Sequence, residues 1–93
     1  MRLTDFIKSD GTAYRGALFA LWLADRGEWD HAHEVAQSEE SREAAWVHAY
    51  LHRVEGDATN ANYWYRRAGR PTQGGDLHLE WETIVMELLP QAG

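Results

Sequence analysis

Within the run AAWVHAYLHRVEGDATNANYWYRRAG, Ala44 to Gly69, stand the residues best suited to chemistry. His48 and His52 are four apart, so in a helix both project from one side, with Glu55 three residues further on that side. Two imidazoles and a carboxylate at this spacing are donors for a divalent metal such as zinc, and a third and fourth ligand would have to come from elsewhere in the chain. The same residues also fit a purely structural polar patch. Imidazoles buried in a helical hairpin need hydrogen-bond partners, and Tyr65, Asn62 and Glu55 are the candidates. A third use, general acid–base catalysis by one histidine, has no recognisable company. The chain carries no glycine-rich phosphate loop, no H-E-x-x-H and no nucleophile elbow. His31 and His33, two apart, point to different sides of a helix, which makes them poor co-ligands and predicts that they face solvent. His78 stands alone.

The elements that must position these groups are helical throughout. Ser41 supplies an N-cap hydroxyl, Glu43 complements the helix dipole, and Val47, Tyr50, Leu51 and Val54 make one apolar stripe. Gly56 stops that helix and Asp57 caps the next, in which Ala58, Ala61, Trp64, Tyr65 and Ala68 share a face before Gly69 and Pro71. Upstream, residues 3–9 predict a short helical turn ending at Asp10-Gly11. Thr12 is then placed to cap a helix running to about Arg26, apolar nearly all round from Ala17 to Ala24, as expected of an element packed on several sides. Glu28 to Gln37 returns, with Trp29, Ala32, Val35 and Ala36 inward. Asp76 caps a last helix whose Leu77, Trp81, Ile84, Val85 and Leu88 face in, with Pro90 as its end. The expected architecture is all-α in a single domain over 1–93: hairpin one at 12–37, hairpin two at 41–69 and a capping helix at 76–89.

Composition agrees and removes several function classes. A chain of 93 residues, 44% apolar, can bury one core. It has no cysteine, so disulfides and thiolate metal sites are excluded and a reducing cytoplasm is compatible. The start lacks the pattern of a signal peptide, and the longest apolar run is too short to span a bilayer. A net charge of −6 opposes generic binding to nucleic acid or anionic membranes. Tyr63, Trp64 and Tyr65 beside Arg66 and Arg67 could stack on single-stranded nucleic acid, but the hairpin pattern assigns Trp64 and Tyr65 to the core.

Placing Gly27 on Gly56 exposes an internal repeat with an offset of 29 residues that also aligns Glu28 with Asp57 and Ala32 with Ala61. The segments ALFALWLADRGEWDHAHEVA and AAWVHAYLHRVEGDATNANYWYRRA resemble the tetratricopeptide repeat over about half of the chain. The offset is shorter than that family's ~34 residues, and Gly16 and Ala45 stand where it has a large aromatic, which marks a compact, divergent relative. Trp46 to Ala68 also resembles a small bacterial family with the run W-x-H-A-x-L-H-R-x-E-G-D-x-x-N-A-x-Y-W-Y-x-R-A, a likeness that implies no particular activity. In the repeat register His48 and His52 replace Phe19 and Leu23, so imidazoles stand where the first hairpin has hydrocarbon. The tetratricopeptide resemblance implies a groove on the first helices of the hairpins, where Glu43, Trp46, Tyr50 and Arg53 would meet a protein or peptide. Against this, the last helix could fill the groove through Trp81 and Ile84 and bury Trp46, leaving self-association through what remains exposed. The sequence thus supports a non-catalytic interaction or scaffold module needing no cofactor, with a metal-dependent protein or enzyme centred on His48 and His52 as the alternative.

Overall fold

The computed structural model describes residues 3–89, and these form six helices. They are α1 (Leu3–Lys8), α2 (Gly16–Asp25), α3 (Trp29–Gln37), α4 (Arg42–Glu55), α5 (Ala58–Ala68) and α6 (Leu77–Leu88). No strand occurs among the described residues, and none of their helices is long and apolar enough to cross a membrane. Pro90, expected to end the last helix, lies outside the described residues.

Local chemistry accounts for most boundaries. Ser41 Oγ accepts the Ala44 N–H at 3.0 Å, Asp57 Oδ1 that of Asn60 at 3.1 Å and Asp76 Oδ1 that of Leu79 at 3.0 Å. Gly56 and Gly69 close α4 and α5 in the left-handed conformation, at φ 88° and 69°. Ser41→Ala is expected to cost about 1 kcal/mol, read as a lower urea midpoint at unchanged slope.

Thr12 does not cap α2. Its N–H and hydroxyl both donate to Asp10 Oδ1, at 3.0 and 2.7 Å, so the Asp10 side chain organises a turn instead. The helix begins four residues later at Gly16, preceded by Arg15 with no side-chain cap. In that turn Gly11 has φ 83°, and a Cβ there would meet the Trp22 ring at 2.9 Å, so both backbone and space call for glycine.

The core lies around α2 and α4. Helix α4 packs against α2, α3, α5 and α6, and every residue from Ala44 to His52 is buried. Helix α2 contacts α1, α3, α4 and α6, in keeping with its apolar circumference. Trp81 of α6 is buried and its Nε1 donates to the Leu21 carbonyl at 2.8 Å, fastening α6 across α2. Val54, which the α4 stripe included, is 43% exposed just beyond the packed segment, and Ala58 of α5 and Leu77 of α6 also end outside the core.

Candidate metal site between α3 and α4

The surface implied by the repeat resemblance is largely closed. Glu43 is exposed, but Trp46 and Tyr50 are buried, and the Arg70 guanidinium lies over the Trp46 ring at 3.8 Å. Arg53 donates to Glu80 Oε1 and to the Gly75 carbonyl, while Tyr65 O–H donates to Glu80 Oε2. Burial, reinforced by the adjacent Glu80 carboxylate, pushes the Tyr65 hydroxyl well above its usual range and keeps it a donor. What remains of the groove is a cleft of about 260 Å³ between Trp46, Arg53, the 73–76 segment and α6. A peptide groove needs Trp46 and Arg53 open, and here the chain's own last helix and the segment before it occupy that space.

The histidines are brought together, with one addition. His48 and His52 stack at a centroid distance of 4.9 Å, and His33 of α3 meets both, at 4.6 and 5.2 Å. His48 Nε2 and His33 Nε2 are 2.9 Å apart, a hydrogen bond in which one ring supplies the proton. One ring nitrogen from each of His33, His48 and His52 lies within 4.8 Å of the others. The expectation that His33 faces solvent is therefore corrected: of the two, only His31 is exposed, its ring edge against Phe19. That the two point to different sides of α3 holds, yet the side His33 takes is the one turned to α4.

Indoles wall the cluster. Trp29, one turn before His33 on α3, stacks on it at 4.8 Å and donates Nε1–H to the Leu51 carbonyl at 2.7 Å, tying α3 to α4. Trp64 of α5 stacks on His48 at 3.8 Å. Neither the cleft beside Trp46 nor a polar one of about 560 Å³ on the outer side of Trp64 is lined by a histidine.

Hydrogen bonding differs from ring to ring. Of the partners expected, only Glu55 serves: its Oε1 is 2.8 Å from His52 Nδ1. Tyr65 is committed to Glu80, and Asn62 is exposed. His48 Nδ1 is buried with no protein partner. Glu55 is thus joined to His52, and it is His33 that completes a set of three donors with His48 and His52. A second grouping, His52 with Glu55 and Asp57, lies at the exposed end of α4. There both Asp57 oxygens are already engaged by Asn60 in capping α5.

Burial depresses the His48 pKa to about 4, with His33 and His52 adding to the effect, and His33 is lowered chiefly by burial and then by His52. Both rings are neutral at pH 7, the form a metal requires. The sign follows: the unfolded chain, with imidazoles near 6.5, binds more protons than the fold below that pH, so acid destabilises. The contribution is complete above about pH 6.5 and is lost as pH falls towards 4, by about 3 kcal/mol for His48. Urea midpoints of the metal-free protein from pH 7 to 4 should fall accordingly, and His48→Phe should flatten the fall.

No family model, curated protein or solved structure matches this chain.

Proposed function

We propose that this chain is a small helical metal-binding domain, non-catalytic, in which His33, His48 and His52 hold one divalent transition-metal ion, zinc in the first instance. The observation that carries this is the convergence of three imidazole nitrogens within 4.8 Å, from two helices, in a setting that keeps His33 and His48 unprotonated. An all-imidazole donor set favours zinc, nickel, copper or iron over magnesium and calcium, which take oxygen. Metal–nitrogen bonds of about 2.0–2.1 Å in a tetrahedron place ligand nitrogens roughly 3.3 Å apart. The His33–His48 pair, at 2.9 Å, therefore opens by only a few tenths of an ångström as the ion replaces the shared proton.

One opposing cost is visible. Binding through His48 Nε2 places the ring's proton on Nδ1, which has no acceptor, at a cost of about 1–3 kcal/mol. Structural zinc contributes about 10–16 kcal/mol in small domains, so the ion prevails. Because the ligands lie on α3 and α4, the ion ties the 12–37 hairpin to the 41–69 hairpin. In this reading the two stack as a divergent tetratricopeptide-like pair capped by α6. Three protein ligands leave a fourth position for water; with neither of the two clefts described above lined by these histidines, a structural or sensing ion is favoured over a hydrolytic one.

A second reading, the interaction module, draws support from α6 and no longer from the α4 groove. Leu79 and Met86 are 63% and 49% exposed and line an open hollow with Leu3 and Thr83.

The deciding experiment is calorimetric titration of tag-free protein with zinc at about pH 7.5, followed by nickel with tryptophan fluorescence as the readout, since Trp29 and Trp64 lie against two ligands. The expected result is one ion per chain with quenched emission, and loss of both signals in His33→Ala. Binding that survives His33→Ala together with His48→Ala, or no saturable binding at all, sinks the proposal.

A further inference from the structure

The three rings are not equivalent as ligands, and the difference lies in what holds the nitrogen that would not face the ion. A neutral imidazole carries one proton, and the nitrogen that ligates must be the bare one. For His52 the choice is made in the fold. Glu55 follows on the next turn of α4 with Oε1 2.8 Å from Nδ1, and a carboxylate can only accept, so Nδ1 holds the proton and Nε2 keeps the lone pair. His48 has no such anchor, its Nδ1 being buried without a protein partner.

We infer that Glu55 is a positioning residue for the ion, fixing His52 as the Nδ1–H tautomer, rather than a ligand in its own right; the inference rests on the three-histidine site proposed above. Two observations separate this role from ligation. Glu55 lies outside the set of three donors formed by His33, His48 and His52, and its carboxylate meets that set at His52 Nδ1. The grouping in which Glu55 could ligate needs Asp57, and Asp57 has spent both oxygens on the α5 cap.

Electrostatics adds to geometry. Three neutral imidazoles leave the full charge of a divalent ion in a setting where His48 and His52 are only 3% and 8% exposed. The Glu55 carboxylate, one hydrogen bond away and with its side chain 44% exposed, offsets part of that charge without itself being desolvated. Asp57 lies beside it. His52 thus becomes the donor whose tautomer a partner fixes, an anchor that His48 lacks.

The test compares Glu55→Ala and Glu55→Gln with the parent in tag-free protein. Glu55 sits at the C-terminal end of α4, where an acidic residue opposes the helix dipole, so neither change threatens the fold. Zinc affinity, read by competition with a chelating indicator, is expected to fall about 10–100-fold in Glu55→Ala. Glu55→Gln, whose amide oxygen still accepts but carries no charge, should fall less. Long-range proton–nitrogen NMR of the metal-free protein should show His52 as the Nδ1–H tautomer in the parent and in Glu55→Gln, and as a mixture in Glu55→Ala. Zinc binding by the parent that Glu55→Ala leaves unchanged overturns this inference alone, as does a loss in Glu55→Ala as complete as that in His52→Ala, which would make Glu55 a ligand. A parent that takes up no zinc overturns the three-histidine site and this role together.

Discussion

Trp46→Ala lowers the unfolding free energy by about 3–5 kcal/mol, although Trp46 is the residue that the repeat resemblance places at the centre of a binding groove. Its ring is 5% exposed, with Arg70 over it at 3.8 Å and the 260 Å³ cleft beside it. Truncation removes the transfer free energy of the indole, leaves a cavity that the neighbouring helices fill only partly, and forfeits the stacked guanidinium. For a domain of this size the loss corresponds to a melting temperature lower by roughly 15 °C or more. A surface groove residue would change stability by about 0.5 kcal/mol or less. A loss below about 1 kcal/mol would therefore return Trp46 to an accessible surface and restore the groove reading. The same covering explains Arg53, whose guanidinium is spent on the buried Glu80 carboxylate and the Gly75 carbonyl. Trp46 and Tyr50 of α4 thus belong to the buried core.

Element types and most boundaries were legible because they depend on neighbours in sequence. Ser41, Asp57 and Asp76 cap, and Gly56 and Gly69 close, each through a backbone group within four residues. Thr12 failed for an equally local reason: Asp10, two residues earlier, captures both its N–H and its hydroxyl before a helix can start. The site was legible only by half. His48 and His52 share a helix, so periodicity finds them. His33 belongs to another helix, and its spacing of two from His31 puts the pair on different sides of α3, which gave neither ring a reason to be placed against α4. A usable signal was the Trp29–His33 spacing of four, which places the imidazole beside an indole already assigned inward and now seen stacked on it. Glu80 was missed in the same way. It occupies the turn before Ile84 on the buried side of α6, a carboxylate in an otherwise apolar stripe, and its partners Tyr65 and Arg53 come from two other helices. Spacing reads one helix at a time, whereas polar groups buried between helices are satisfied across them.

Zinc at a free concentration of 100–1,000 times its dissociation constant raises the unfolding free energy by about 2.7–4.1 kcal/mol, a melting temperature higher by about 10–20 °C. The gain arises because the unfolded chain has no assembled site: His33 is separated from His48 and His52 by the α3–α4 connection, so binding free energy appears as folding free energy. Differential scanning fluorimetry of tag-free protein, first with a chelator and then with zinc, reads it directly. His33→Ala deletes one donor and also leaves the buried His48 Nε2 without its partner. Its melting temperature with chelator should therefore fall by the cost of that unpaired nitrogen, about 1–3 kcal/mol, and the response to zinc should vanish. His48→Phe divides the same effect differently. Filling the site with hydrocarbon removes the orphaned Nδ1 but also the His33 hydrogen bond, so the metal-free melting temperature should stay within a few degrees of the parent's while the response is abolished. A parent indifferent to zinc, nickel and copper would leave the three imidazoles as a polar patch closed by the His33–His48 and His52–Glu55 hydrogen bonds. In that case His48→Phe should still fold with nearly the parent's stability, and the search for function would move to Leu79 and Met86 on the open side of α6.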